Sequence, residues 1–105
     1  IGIEVDMDNG AIYFSKNGTF QDSGNPASGA SKTGAAFTFT PDGSYYFIGA
    51  SPYRSQSSLS FNFGNGTFGT TAIASAGSNG NGSLFEYDVP TGYYALNTKN
   101  INTYG

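Results

Sequence analysis

The chain has 105 residues, enough for one small domain, and carries four Lys and Arg against seven Asp and Glu for a net charge of −3. It has no Cys and no His, which excludes a disulfide framework, thiolate or imidazole metal sites, and Ser-His-Asp or Cys-His catalysis. The cations Lys16, Lys32, Arg54 and Lys99 are scattered, so the basic footprint of a nucleic-acid binder is missing, and no apolar run approaches a membrane span.

Aromatic residues at 16% against 10% charged residues, with 16 glycines, predict an all-β chain rich in turns. The first predicted elements are strands over Gly2–Met7 and Ala11–Ser15, joined at Asn9-Gly10. Asn-Gly favours a two-residue type I′ hairpin, because both central residues need positive φ. With Asn9 and Gly10 at the corner, Met7 faces Ile12, Asp6 faces Tyr13, Val5 faces Phe14 and Glu4 faces Ser15. Met7, Ile12, Val5 and Phe14 then share one face, while Glu4, Asp6, Tyr13 and Ser15 share the other. The acids are expected on a solvated face and at a turn. A calcium loop of the EF-hand type fails on spacing, since neither Asp6 nor Asp8 as first ligand brings a Glu to the twelfth position. No metal and no cofactor is expected.

Gln21–Gly34 is Ser/Gly/Asn-rich and is expected to be a loop, as is Ala74–Ser83. Further strands are predicted over Ala35–Thr40, Ser44–Ala50, Ser57–Phe63 and Gly92–Ala95, with a short one around Leu84–Asp88. Ser57–Phe63 alternates cleanly, with Leu59, Phe61 and Phe63 on one face. Thr40–Ser44 reads as a turn. Thr70–Ala76 comes nearest to a helical period but is short and β-branched. The Asn-Gly pairs at Asn17, Asn65 and Asn81 match the glycosylation sequon and are treated as turns. Asn97–Gly105 is expected to be a polar tail or linker after a domain spanning residues 1–96.

The stretch IGIEVDMDNGAIYFSKNGTF, an aliphatic strand, an acidic DNG turn and a strand with Phe followed by KNG, resembles the second half of a SPRY domain. Later pieces follow in the same order. They are Ala36-Phe37, Tyr45-Tyr46-Phe47-Ile48, the run Leu59–Gly64 with its NFG, and Asp88–Tyr93 with its P-x-G-aromatic ending. The run Gly92–Ile101 is also similar to endings of SPRY-like modules in structural proteins of tailed bacteriophages. The resemblance implies an antiparallel β-sandwich of the concanavalin A-like kind, in partial form, and binding without catalysis. A full family domain has several strands before Gly2, so the chain is expected to be a piece of a longer polypeptide. Its uncovered edge or face near Gly2–Met7 is expected to meet another copy or another virion chain.

The candidate ligand-binding residues are Tyr53 and Arg54 in the loop Ser51–Gln56, together with Tyr13. Tyr and Arg dominate recognition surfaces. Tyr13, Tyr45 or Tyr46, and Tyr53 are candidates to stack on sugar rings, against the alternative that most tyrosines of a half-buried sheet pack in the core. Glu4, Asp6 and Asp8 would supply the acids of a paired-carboxylate glycosidase site, but their register places them on an exposed face, and a solvated face is the simpler reading. The expected function is a non-enzymatic binding or structural module of a phage virion or fibre protein, located in the particle, with loops toward a host-surface glycan or protein. Two rivals stand beside it: an interaction SPRY module of a cellular protein, and a fragment of a carbohydrate-active jelly-roll enzyme.

Overall fold

The computed structural model describes residues 1–55, 57–68, 70–73 and 83–104. Strand β1 covers Gly2–Asp6 and β2 covers Ala11–Lys16. They form an antiparallel hairpin in which Glu4 faces Tyr13 and Val5 faces Ile12. β3 (Thr19–Phe20) and β4 (Phe37–Thr38) both pair antiparallel with the other side of β2, which is therefore the central strand. A separate small hairpin joins β5 (Thr67–Phe68) and β6 (Thr71–Ala72). The molecule is thus a small protein of antiparallel strands with few helices, compatible with an all-β class.

The first hairpin differs from the expected register by two residues. Asp6 pairs with Ala11, so Met7 to Gly10 form a four-residue turn. Asn9 is absent from the positive-φ residues while Gly10 has φ 72°, so the type I′ geometry cannot form there. Asp6 accounts for the longer turn. Its carboxylate accepts from the Asn9 N–H at 2.9 Å and from the Asn9 side-chain amide at 2.8 Å, and its carbonyl accepts from Gly10 N–H at 2.9 Å. These bonds offer the backbone an alternative to two further rungs of ladder. The type I′ turn appears at the next Asn-Gly pair, where Asn17 and Gly18 have φ 53° and 77° between paired Lys16 and Thr19.

A shift of two preserves the face of every strand residue, but the buried face is the one expected to be solvated. Ala11 and Tyr13 are 0% and 1% exposed and Ser15 is buried with them, whereas Ile3 and Met7 are largely exposed. The cover comes from Gln21–Gly34, which folds into two 3-10 segments at Gln21–Ser23 and Pro26–Ser31. Asn25 caps the second by accepting from Ala27 N–H at 3.1 Å, and Ser28 Oγ accepts from Thr33 N–H at 2.9 Å. These polar residues hold the loop compact over the Tyr13 side of the sheet.

After β4 the predicted strands Ser44–Ala50 and Ser57–Phe63 remain exposed chain with no partner strand among the described residues. Gly92–Ala95 likewise forms no strand, and Leu84 makes only an isolated bridge with Asn65. Within Thr40–Ser44 the chain bends at Gly43, which has φ 78°, and the Asp42 carboxylate accepts from Ser44 N–H at 2.9 Å. Asn65, expected in a turn, instead forms the bridge with Leu84, and the chain bends at Gly66, where the Asn62 side chain accepts from the N–H groups of Gly64 and Gly66 at 2.7 and 3.3 Å. Most of the loop Ala74–Ser83, including Asn81-Gly82, lies outside the described residues, as does Gln56.

The expected tail is instead a short helix, α1, over Thr98–Tyr104. Asn97 is its cap: Oδ1 accepts from Asn100 N–H at 3.0 Å, and the Asn97 carbonyl accepts from Ile101 N–H at 3.0 Å. Asn100 is buried and donates to the Ala95 carbonyl at 2.9 Å, and Asn97 donates to Ser83 Oγ at 2.9 Å. The helix is thereby fastened to a second buried cluster of Ser83, Ala95 and Asn100.

Candidate functional site

The three sequence-predicted site residues separate into two environments. Tyr53 is 93% exposed, and the Arg54 guanidinium carbon lies 5.9 Å from the centroid of its ring. That distance is within the range of a cation–π pair. Arg54 also begins the turn that returns the chain, since its carbonyl accepts from Ser57 N–H at 2.9 Å. Tyr45 and Phe47 are exposed on the segment leading to it, and Tyr46 packs against Phe39 with ring centroids 4.8 Å apart. The Phe39–Tyr46 contact anchors the start of this segment to the end of β4. Tyr53 and Arg54 therefore form one exposed aromatic and cationic feature.

Tyr13 does not join them. It is a core residue beneath the Gln21–Gly34 loop, with its hydroxyl 3.4 Å from Ser28 Oγ. A sugar ring cannot stack on a side chain with no accessible face, so the stacking role expected for Tyr13 is replaced by packing.

The acids are divided in the same way. Asp6 is occupied by Asn9, and Asp8 is exposed in the turn. Glu4 lies on the covered face opposite Tyr13, and one of its carboxyl oxygens, Oε2, is buried without a hydrogen-bond partner. Burial pushes the Glu4 carboxyl from its usual 4.5 up to about 7, against smaller opposing effects of the Ile1 ammonium and a Ser15 hydrogen bond. Tyr93 belongs to the same cluster. Burial, reinforced by Asp6, Tyr13 and Glu4, raises its phenol to about 12, and its hydroxyl donates to the Pro26 carbonyl at 3.0 Å. This bond ties the P-T-G-Y stretch at Pro90–Tyr93 to the loop that covers the sheet. A groove of about 470 Å³ runs between these two stretches, lined by Phe20, Pro26 and Val89 among others. Sequence reasoning missed the cluster, because its assembly depends on where a loop without apolar pattern settles. No group of three or more metal-ligating side chains occurs among the described residues, and none of their helices is long and apolar enough to cross a membrane.

The Glu4 carboxyl makes stability depend on pH. The folded chain holds this proton up to about pH 7, while the unfolded chain releases it near 4.5. Between these values the folded state binds more protons, so stability falls as pH rises through the window and stays low above it. Half the unscreened linkage, to allow for solvent around a partly exposed carboxyl, leaves about 1.5 kcal/mol. Urea unfolding at pH 5 and pH 8 should show this loss in the wild type and little of it in Glu4→Gln. An equal loss in both proteins would mean that Glu4 is not its source.

No family model matches the chain, and neither a curated protein nor a solved structure matches it.

Proposed function

We propose that the chain is a non-enzymatic binding or structural module of a phage virion or fibre protein, built on part of a SPRY-like, concanavalin A-like sandwich. The observation that carries this reading is the exposed Tyr53–Arg54 pair at the end of a segment that also exposes Tyr45 and Phe47. Large aromatic rings beside a guanidinium, held out from the fold, suit contact with a partner better than packing within the chain. The fate of the carboxylates favours binding over glycoside hydrolysis. Burial raises the Glu4 carboxyl as an acid catalyst would need, but its neighbour Asp6 spends both carboxyl oxygens on Asn9. The partner class is a host-surface glycan or protein at the Tyr53 end, with virion chains or further copies along the sheet.

The test is binding of the immobilised module to a panel of purified bacterial surface polysaccharides and outer-membrane proteins. Tyr53→Ala and Arg54→Ala are each expected to weaken binding roughly tenfold or more, as truncation of an aromatic or Arg anchor does. Both residues are exposed, so folding should be unaffected. Wild-type affinity in both variants would remove Tyr53 and Arg54 from the contact surface.

A further inference from the structure

We infer that two copies of this chain associate by reciprocal strand addition, the Ser57–Phe63 segment of each pairing antiparallel with the free edge of β1 in the other. The donor segment has strand character without a strand partner. Leu59, Phe61 and Phe63 are all exposed, and the rings of Phe61 and Phe63 stack with centroids 5.8 Å apart and planes within 3°. One residue, Asn62, separates those rings, and a shared face at that spacing is the alternation of a strand. Ser58, Ser60 and Asn62 occupy the other face by alternation.

The acceptor is defined by the hydrogen bonds of β2. The Ile12 and Gly10 carbonyls accept from Ala36 and Phe39 N–H groups at 2.9 Å, so the even-numbered positions of β2 address β4. Ala11, Tyr13 and Ser15 therefore address β1, through their partners Asp6, Glu4 and Gly2. The N–H and C=O groups of Ile3 and Val5 are left pointing outward, and no described strand pairs with that edge. Such an edge is a template for another strand.

One register satisfies both faces. With Phe61 opposite Ile3, Leu59 falls opposite Val5 and Phe63 opposite Ile1, which extends the apolar face already formed by Ile3, Val5, Ile12 and Phe14. On the opposite face Ser60 falls beside Glu4 and Ser58 beside Asp6, so small polar side chains meet the polar face of β1. Ile3 and Val5 are the residues whose backbone groups face outward, so this register makes them the hydrogen-bonded pairs. Arg54 then runs past the end of β1 toward the turn that carries exposed Asp8, giving opposite charges at the end of the ladder. The donor segment itself has no charge and adds no repulsion to the acidic strand it joins.

A second copy is the occupant because the segment is committed elsewhere in its own chain. Asn62 donates to the Leu84 carbonyl at 2.8 Å, and the Gly64 carbonyl accepts from Leu84 N–H at 2.9 Å. These bonds fasten its end to the Ser83–Asn100 cluster, and no backbone hydrogen bond joins it to β1 among the described residues. A two-fold axis makes the two additions equivalent and leaves neither edge open.

The inference shares with the proposed function only the class of partner, and its test separates the two. The chain has no native cysteine, so Ile3→Cys and Phe61→Cys each place one thiol at an exposed position. The two single variants are mixed under mild oxidation, and the mass of the unmodified chain is measured by sedimentation. The expected result is a dimer whose mixed disulfide joins one Ile3→Cys chain to one Phe61→Cys chain, in excess over either homodisulfide. Phe61→Lys should weaken dimerisation roughly tenfold or more, through loss of an apolar cross-strand pair on each half. A monomer at all concentrations would overturn the inference, as would a dimer without the mixed crosslink. An internal disulfide in the Ile3→Cys/Phe61→Cys double variant, with no dimer, would assign the edge to the chain's own segment and overturn it too. In each of those cases polysaccharide binding that depends on Tyr53 would leave the proposed function standing.

Discussion

Tyr13→Ala is expected to cost about 3–5 kcal/mol of folding free energy, the range for truncating a buried aromatic residue. Tyr13 is the one large side chain fully buried among the described residues, and the other buried apolar residues there are small: Ala11, Pro26 and Ala95. Residues this small cannot move in to fill the space it would leave. The ring also supports the covering loop: a β-carbon at Gly24 would lie 3.3 Å from Tyr13 Cδ1, so the loop backbone rests directly on the ring. A domain of this size has a total stability of roughly 5–10 kcal/mol, so the variant should sit near its unfolding midpoint in water. Tyr13→Phe separates packing from hydrogen bonding. The hydroxyl lies 3.4 Å from Ser28 Oγ, a long contact, so its loss should cost no more than about 1 kcal/mol. Urea unfolding checks both variants. A Tyr13→Ala midpoint close to wild type would show that the Gln21–Gly34 loop does not cover the sheet in solution, and would reopen Tyr13 as a stacking surface.

The same residue shows where sequence reading reaches its limit. Period-two alternation sorted β1 and β2 into two faces, and the sorting survived a register shift of two because side chains repeat with that period. It could not say which face is covered. The Ile12/Phe14 side is the more apolar, but the Tyr13 side receives the loop, and that loop is positioned by hydrogen bonds of Asn25, Ser28 and Thr33. Polar residues that bond their own backbone leave no hydrophobic pattern to detect. Helix α1 was obscured for a similar reason. Its cap, Asn97 with Asn100 three residues later, is a readable start signal, but Ile101 is the lone aliphatic residue within it. The alternation over Ser57–Phe63 was readable, yet a strand exists only by pairing, and the partner is not fixed by the segment's own pattern. Tyr53 and Arg54 were found together because they are neighbours in the chain. The Glu4–Tyr93 cluster spans most of its length and had no local signature.

Gly10→Ala is expected to destabilise the chain by about 3 kcal/mol, through two effects that a second glycine can separate. Gly10 closes the Met7–Gly10 turn at φ 72°, and a residue with a β-carbon in that region pays about 1–2 kcal/mol. The added carbon would also collide with the Phe39 carbonyl, whose own residue donates its N–H to Gly10 at 2.9 Å. No rotamer relieves a collision between Cβ and backbone. β4 would have to withdraw from β2, breaking the Phe39 bond and loosening the pairs Ala11–Thr38 and Ile12–Phe37. Gly43 supplies the control. It has φ 78° but nothing within 4 Å of an added β-carbon, so Gly43→Ala should show the conformational cost alone, about 1 kcal/mol. The difference between the two variants measures the close approach of β4 to the turn. Amide exchange at Phe39 gives an independent reading: protection should collapse in Gly10→Ala and persist in Gly43→Ala. Equal destabilisation by the two substitutions, with Phe39 protected in both, would show that β4 does not approach the turn closely, and that Gly10 is required for its φ alone.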